Sequence, residues 1–161
     1  MDWSSLYAMQ RELDNYIESN NDLHNKDVFE QKYLALLVEL GELANETRCF
    51  KFWSAKPPSE KHTILEEYVD GIHFLLSLGN EIGHQYKGTP HPAGEISMTK
   101  QFNQVFERCT LFHQHPGETA YENMMENYLQ LGELLGFSET DIKNAYYEKN
   151  EVNYDRQNQG Y

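Results

Sequence analysis

Four carboxylates fall in two short patterns, Glu39-Leu40-Gly41-Glu42 and Glu67-Tyr68-Val69-Asp70, separated by the 24 residues 43–66. On an α-helix, side chains three apart stand only about 60° from one another around the axis, so each pattern aims two acids the same way. Either pair alone reads as a solvated helix face. The apolar neighbours shift that balance: Leu36, Leu37, Leu40 and Leu43 surround the first pair, and Tyr68, Val69 and Ile72 the second. Acids at the border of apolar stripes repel one another and lose hydration, a cost that a cation or bound protons must offset. The donors are all oxygens, with no Cys or His inside either pattern, which favours Mg2+ or Mn2+ over zinc. A di-iron carboxylate centre also places acids inside helices, but it needs two Glu-x-x-His patterns, and only Glu81-Ile82-Gly83-His84 has that form.

Near the C-terminus, Lys149, Asn153 and Arg156 stand at i, i+4 and i+7 and continue nearly the same stripe as Ile142, Ala145 and Tyr146. In isolation such a group reads as basic residues meeting a helix dipole. Beside the acid pairs, a phosphate clamp is the more economical reading: Arg offers two parallel donors, Lys a compact charge and Asn a neutral donor. The polar end Gln157-Asn158-Gln159-Gly160-Tyr161 is expected to be mobile until substrate binds.

Helices must position these groups. Trp3, Leu6, Tyr7, Leu13, Tyr16 and Ile17 recur at three- and four-residue steps and predict a helix from 2 to about 20, interrupted by the polar stretch 20–25. Asp27-Val28-Phe29-Glu30 has the form of an N-cap with an acid three residues on, opening a helix from 28 to about 48. Pro57-Pro58 stops it and Ser59 is the expected cap of the next, from about 60 to 82. Residues 83–99, rich in Gly and Pro, predict a long connection of the kind that serves as a lid. A fourth helix carries Phe102, Val105, Phe106, Cys109 and Phe112 until His115-Pro116-Gly117; a fifth covers about 118 to 135, ending at Gly136; and Ser138-Glu139-Thr140-Asp141 caps a sixth. No alternating pattern predicts a strand. The expectation is an all-α bundle of about six helices, one domain over 1–161, with the acid pairs on two facing helices.

Composition limits what such a bundle does. In 161 residues, 26 Asp and Glu stand against 13 Lys and Arg, a formal charge of −13, which argues against a nucleic-acid partner because phosphate neutralisation needs clustered cations. With 39% hydrophobic and 13% aromatic residues, the chain is not a disordered acidic tail. Its N-terminus lacks a signal peptide's features and no run approaches the ~18 apolar residues of a membrane span, so a soluble cytoplasmic protein is expected. Cys49 and Cys109 are unpaired in spacing and read as buried thiols rather than a disulfide or metal site.

Taken together, these residues resemble the all-α nucleoside triphosphate pyrophosphohydrolases, which include the MazG-like enzymes and the dimeric dUTPases. The dUTPase branch is suggested by Met9-Gln10, by Phe52-Trp53, by the run from Asp70 to Ser77, and above all by the C-terminal Y-x-K-N-x-x-N-x-x-R-Q pattern from Tyr147 to Gln157. Residues 84–135 match weakly. The resemblance implies a dUTP diphosphatase in which Glu39, Glu42, Glu67 and Asp70 hold Mg2+. A water activated by metal or oriented by Glu42 as base attacks a phosphorus, giving dUMP and pyrophosphate. It implies acceptance of dUDP as well, and a homodimer. For the base, the Gln10 amide suits a uracil edge and Trp53 or Phe74 a stacking surface, while Lys51 suits a phosphate and His73 reads as a satisfied core histidine. Two alternatives stand beside it: the same chemistry on dCTP or a damaged nucleotide, and a non-catalytic acidic helical scaffold.

Overall fold

The periodic apolar residues form six helices in the computed structural model, which describes residues 1–161: α1 (Trp3–Asn20), α2 (Phe29–Thr47), α3 (Lys61–Ile82), α4 (Met98–Gln114), α5 (Glu118–Leu134) and α6 (Glu139–Asn158). There are no strands, and no helix is long and apolar enough to cross a membrane. Helix α3 is the axis of the bundle: it contacts α1, α2, α5 and α6, while α4 pairs mainly with α5. Its central stretch from Tyr68 to Gly79 is buried nearly throughout, so it is a core helix on which one polar notch, around Asp70, reaches the surface.

Helix ends follow local chemistry. The Asp2 carboxylate accepts from the Ser5 N–H at 3.2 Å, and Ser138 and Asp141 form a reciprocal capping box at 3.1 and 2.9 Å. Two expected caps differ by one residue. Val28 rather than Asp27 is the N-cap of α2, though Asp27 still accepts from the Phe29 N–H at 3.0 Å. Glu60 is the N-cap of α3, because the Ser59 hydroxyl donates instead to the Glu46 carboxylate, and the Ser59 N–H donates to the Glu46 carbonyl at 3.0 Å. That exchange ties the C-terminal end of α2 to the entry of α3 and fixes the pair that carries the acids.

The core is built around tyrosines. Tyr68 and Tyr128 stack at 4.8 Å and each hydroxyl donates to the other's backbone carbonyl, at 3.1 and 2.7 Å. Tyr121 donates to the Leu75 carbonyl at 2.8 Å and shares a hydrogen bond with Tyr7 at 2.7 Å. These rings approach α3 and α5 closely because Gly71 and Gly132 leave room; a Cβ at Gly71 would overlap the Tyr128 hydroxyl, and one at Gly132 the Tyr68 hydroxyl. Cys109 is fully buried, which pushes its thiol up to about 12, and Cys49 is half-buried.

Residues 83–97 form a strap along α5. Tyr86 is buried against Trp3 and donates its N–H to the Tyr7 hydroxyl at 2.9 Å. His84 meets Glu122 at 2.6 Å, and the N–H groups of His91 and Ala93 donate to Glu126 and Glu133, each at 3.2 Å. The acids at 122, 126 and 133 share one face of α5 and hold the segment whose Gly and Pro content predicted a long, lid-like connection.

Candidate active site

Helices α2 and α3 run side by side, and the notch between them is where the acid pairs meet. Buried Leu36, Leu40 and Leu43 anchor one wall and Val69 and Ile72 the other, leaving Glu39, Glu67 and Asp70 half-buried at the seam. One carboxylate oxygen from each of these three lies within 4.8 Å of the others. Glu42 is more exposed. With Glu46, Glu67, Val38, Gly41 and Asn45 it lines an open depression of about 500 Å³ at the mouth of the notch.

Electrostatics confirm crowding. Burial, then the charges of Asp70, Glu42 and Glu67, push Glu39 up to about 8. Burial and the charges of Asp70, Glu42 and Glu46 push Glu67 up to about 7. Burial also raises Asp70, against the opposing pull of Lys149 and Arg156. A site that binds protons this readily is short of positive charge, and an all-oxygen donor set within a few ångströms suits a hard divalent cation.

Across from the acids, α6 brings Lys149, whose ammonium bonds Asp70 at 2.9 Å and Glu66 at 3.2 Å. Burial works against its charge, but these two carboxylates outweigh it and its pKa is raised. Asn153 and Arg156 follow on the same helix and are half-buried, and the Arg156 guanidinium lies over the Tyr161 ring at 5.2 Å. The end of α6 is held to α1 by bonds from Tyr16 to Asn158 and from Asn21 to Gln157, so the helix reaches Asn158 as an ordered element. Lys51 lies over the Phe50 ring at 5.8 Å, in the connection after α2.

Three observations now meet: the fold is all-α, the acid notch faces the Lys149 ammonium of α6, and a family model described as dUTPase matches residues 2–161. The chain belongs to the all-α dUTPase family. It is a dUTP diphosphatase, a hydrolase acting on a nucleoside triphosphate, and the scaffold alternative is thereby set aside. A comparison with curated proteins finds no match.

In this dUTPase the residues expected at the base lie on three different segments: Gln10 on α1, Trp53 in the α2–α3 connection and Phe74 on α3. Gln10 is buried on α1, its amide donating one N–H to Asp14 at 2.9 Å and accepting from Tyr146 at 2.9 Å and from His73 at 2.7 Å. Phe74 lines a cavity of about 450 Å³ with Asp14, Lys32 and Ser77. Trp53 lies in the connection before α3, 63% exposed beside the 93% exposed Phe52, while Phe74 lies more than three turns into that helix. His73 is buried, stacked on Tyr146 at 4.2 Å, and burial drives it down to about 3. The sequence reading missed Asp14, one turn from Gln10, and Glu66, beside Glu67; only the packing of α1 and α6 on α3 brings them Ser77 and Lys149.

Proposed function

We propose that Glu39, Glu67 and Asp70, with Glu42 at the rim, hold Mg2+ and present dUTP to an attacking water that Glu42 orients. The meeting of three half-buried carboxylates beside the Lys149 ammonium carries this reading. A divalent ion bound there neutralises phosphate charge and aligns the attacked phosphorus. The chain's own groups do the rest. Glu42, the most exposed of the four acids, accepts a proton from the water at the open mouth. Lys149 exchanges its pairing with Asp70 and Glu66 for phosphate oxygens as the acids take up the ion, and Asn153 and Arg156 extend the clamp. Lys51 supplies a further charge from the α2–α3 connection.

The base belongs toward Gln10 and Phe74, further along α3. The exposed Trp53 ring, in the α2–α3 connection, is free to cover the nucleoside, in a homodimer one held by the partner. The whole chain, 1–161, then acts as one domain, in the cytoplasm where the nucleotide pool lies, and dUDP is a second substrate. Pyrophosphate release from a nucleotide panel with Mg2+ tests the reading. Preference for dUTP supports it, as does a loss of kcat of at least about a hundredfold in Glu42→Gln and Asp70→Asn with unchanged helix content. Wild-type turnover in either variant overturns the assignment of that residue.

A further inference from the structure

Three residues other than glycine hold a positive φ, and two of them, Asp22 and Asn25, are of the types that tolerate it. The third is Arg48, the C-cap of α2, at φ +57° and ψ +15°. Glycine is the ordinary residue at a left-handed helix end, because a Cβ there crowds the following carbonyl. An arginine in that conformation carries strain that its side chain must offset, and strain of this kind gathers where function needs a fixed geometry.

The Arg48 guanidinium closes the loop that follows it. Nε donates to the Lys56 carbonyl at 3.1 Å and Nη2 to the Ser54 hydroxyl at 2.8 Å, and the same hydroxyl oxygen accepts the Lys56 N–H at 3.2 Å. Within the loop, the Lys51 N–H donates to the Arg48 carbonyl and the Ser54 N–H to the Lys51 carbonyl, each at 3.1 Å. From α4, the Thr99 hydroxyl donates to the Cys49 carbonyl at 3.1 Å. Residues 48–56 are therefore braced, although most of them are exposed. They display a cation and three aromatic rings. Trp53 stands edge-on to Phe52 at 5.0 Å and to Phe50 at 6.0 Å, and the Lys51 ammonium lies over the Phe50 ring. All three rings are exposed, so the loop's own hydrogen bonds, rather than burial, fix their places. The loop starts two residues beyond Glu46, which lines the mouth of the acid notch.

We propose that Arg48 is a positioning residue for nucleotide binding: by tying Ser54 and Lys56 back to the end of α2 it holds Lys51 and Trp53 in the arrangement that meets the nucleotide, Lys51 at a phosphate and Trp53 against the nucleoside. The inference rests on the reading of the acid notch given above and deepens it. A loop ordered before the ligand arrives removes the cost of ordering it from the binding step. Arginine suits the task because Nε and Nη2 reach two acceptors on one planar fork, which the point charge of a lysine does not reproduce.

Arg48→Gly separates stability from positioning, because it relieves the left-handed strain while it deletes the brace. The expected result is a Tm within about 2 °C of wild type, a rise of at least about fivefold in KM for dUTP with Mg2+, and kcat within about twofold. Ser54→Ala leaves Arg48 in place and removes one acceptor; it is expected to raise KM in the same sense, and the double variant to go no further than Arg48→Gly. Acrylamide quenching supplies a readout that stability does not move. Trp3 is buried and Trp53 exposed, so the accessible fluorescence is that of Trp53. A non-hydrolysable dUTP analogue with Mg2+ is expected to shield it in the wild type, and in Arg48→Gly only at severalfold higher concentration. Wild-type KM in both single variants overturns the proposal. So does a fall in Tm with Arg48→Gly beside an unchanged KM with Ser54→Ala, which assigns the guanidinium to stability alone. A wild-type Trp53 whose accessibility the analogue leaves unchanged strikes the placing of Trp53 at the nucleoside, and the role of Arg48 falls with it; shielding with the same concentration dependence in wild type and Arg48→Gly strikes the role of Arg48 alone.

Discussion

Glu39 shows what the site costs the free protein. Its carboxyl is pushed up to about 8 from an ordinary value near 4.5 by burial and by Asp70, Glu42 and Glu67. Below the unfolded value both states hold the proton and Glu39 costs nothing. As pH climbs toward 8 the unfolded chain releases a proton that the folded chain retains, and stability falls. Glu39→Gln removes that liability. In EDTA, the variant is expected to match the wild type at pH 4 and to exceed it by about 2 kcal/mol at pH 8, well under the full displacement because the carboxyl is half open to solvent. Urea unfolding across this range measures it, and a wild type as stable as the variant at pH 8 refutes the account. Excess Mg2+ is expected to reverse the order at pH 8, since only the wild type has the full set of oxygens to bind it.

At the scale of the helix, α3 has two duties that meet at Asp70-Gly71. Asp70 must reach the notch, and the next residue must let Tyr128 close against the helix from behind. Gly71→Ala gains about 1 kcal/mol of helix propensity but forces the Tyr128 ring outward, and the net effect is expected to be a loss of about 1–3 kcal/mol of stability and a parallel weakening of metal-dependent stabilisation, because Asp70 moves with the backbone. Thermal melts with and without Mg2+ check both; a variant that keeps wild-type stability and metal response refutes the coupling. All six helices were legible in the sequence because their apolar residues repeat at helical spacing and local signals such as Ser138 with Asp141 mark their ends. The entry to α3 was misread by a residue because Ser59 answers to Glu46, on another helix, and no local pattern records that. The strap over α5 was hidden for the same reason: its hold depends on Glu122, Glu126 and Glu133, some 35 or more residues away in the chain. In the notch the acids declared themselves by spacing, whereas Lys149 showed its charge but not its partners Asp70 and Glu66, and Asp14 showed nothing until α1 met α3.

The molecule as a whole carries a formal charge of −13, an unpromising surface for a substrate that is itself a polyanion. The notch does not relieve this by itself: Glu39, Glu42, Glu46, Glu66, Glu67 and Asp70 gather there against Lys149 and Arg156. At short range, Lys149 already engaged by Asp70 and Glu66 and Arg156 lying over the Tyr161 ring leave an arriving triphosphate facing net repulsion, which the surrounding acids extend over about a Debye length, ~8 Å at physiological salt. On the reading proposed above, a divalent ion held there would change the sign locally, engaging Asp70 and releasing Lys149 toward phosphate. Binding of a non-hydrolysable dUTP analogue is therefore expected to weaken by at least about a hundredfold in EDTA, a loss of some 2.7 kcal/mol, by titration calorimetry. Raising the salt in EDTA recovers a part of the affinity by screening the surface acids, whereas in Mg2+ added salt weakens binding, because the dominant contacts are then attractive. Equal affinity in EDTA and Mg2+ would overturn the assignment of the notch as the triphosphate site, and the same sign of salt dependence in both would show that the bulk charge, rather than the local exception, governs the encounter.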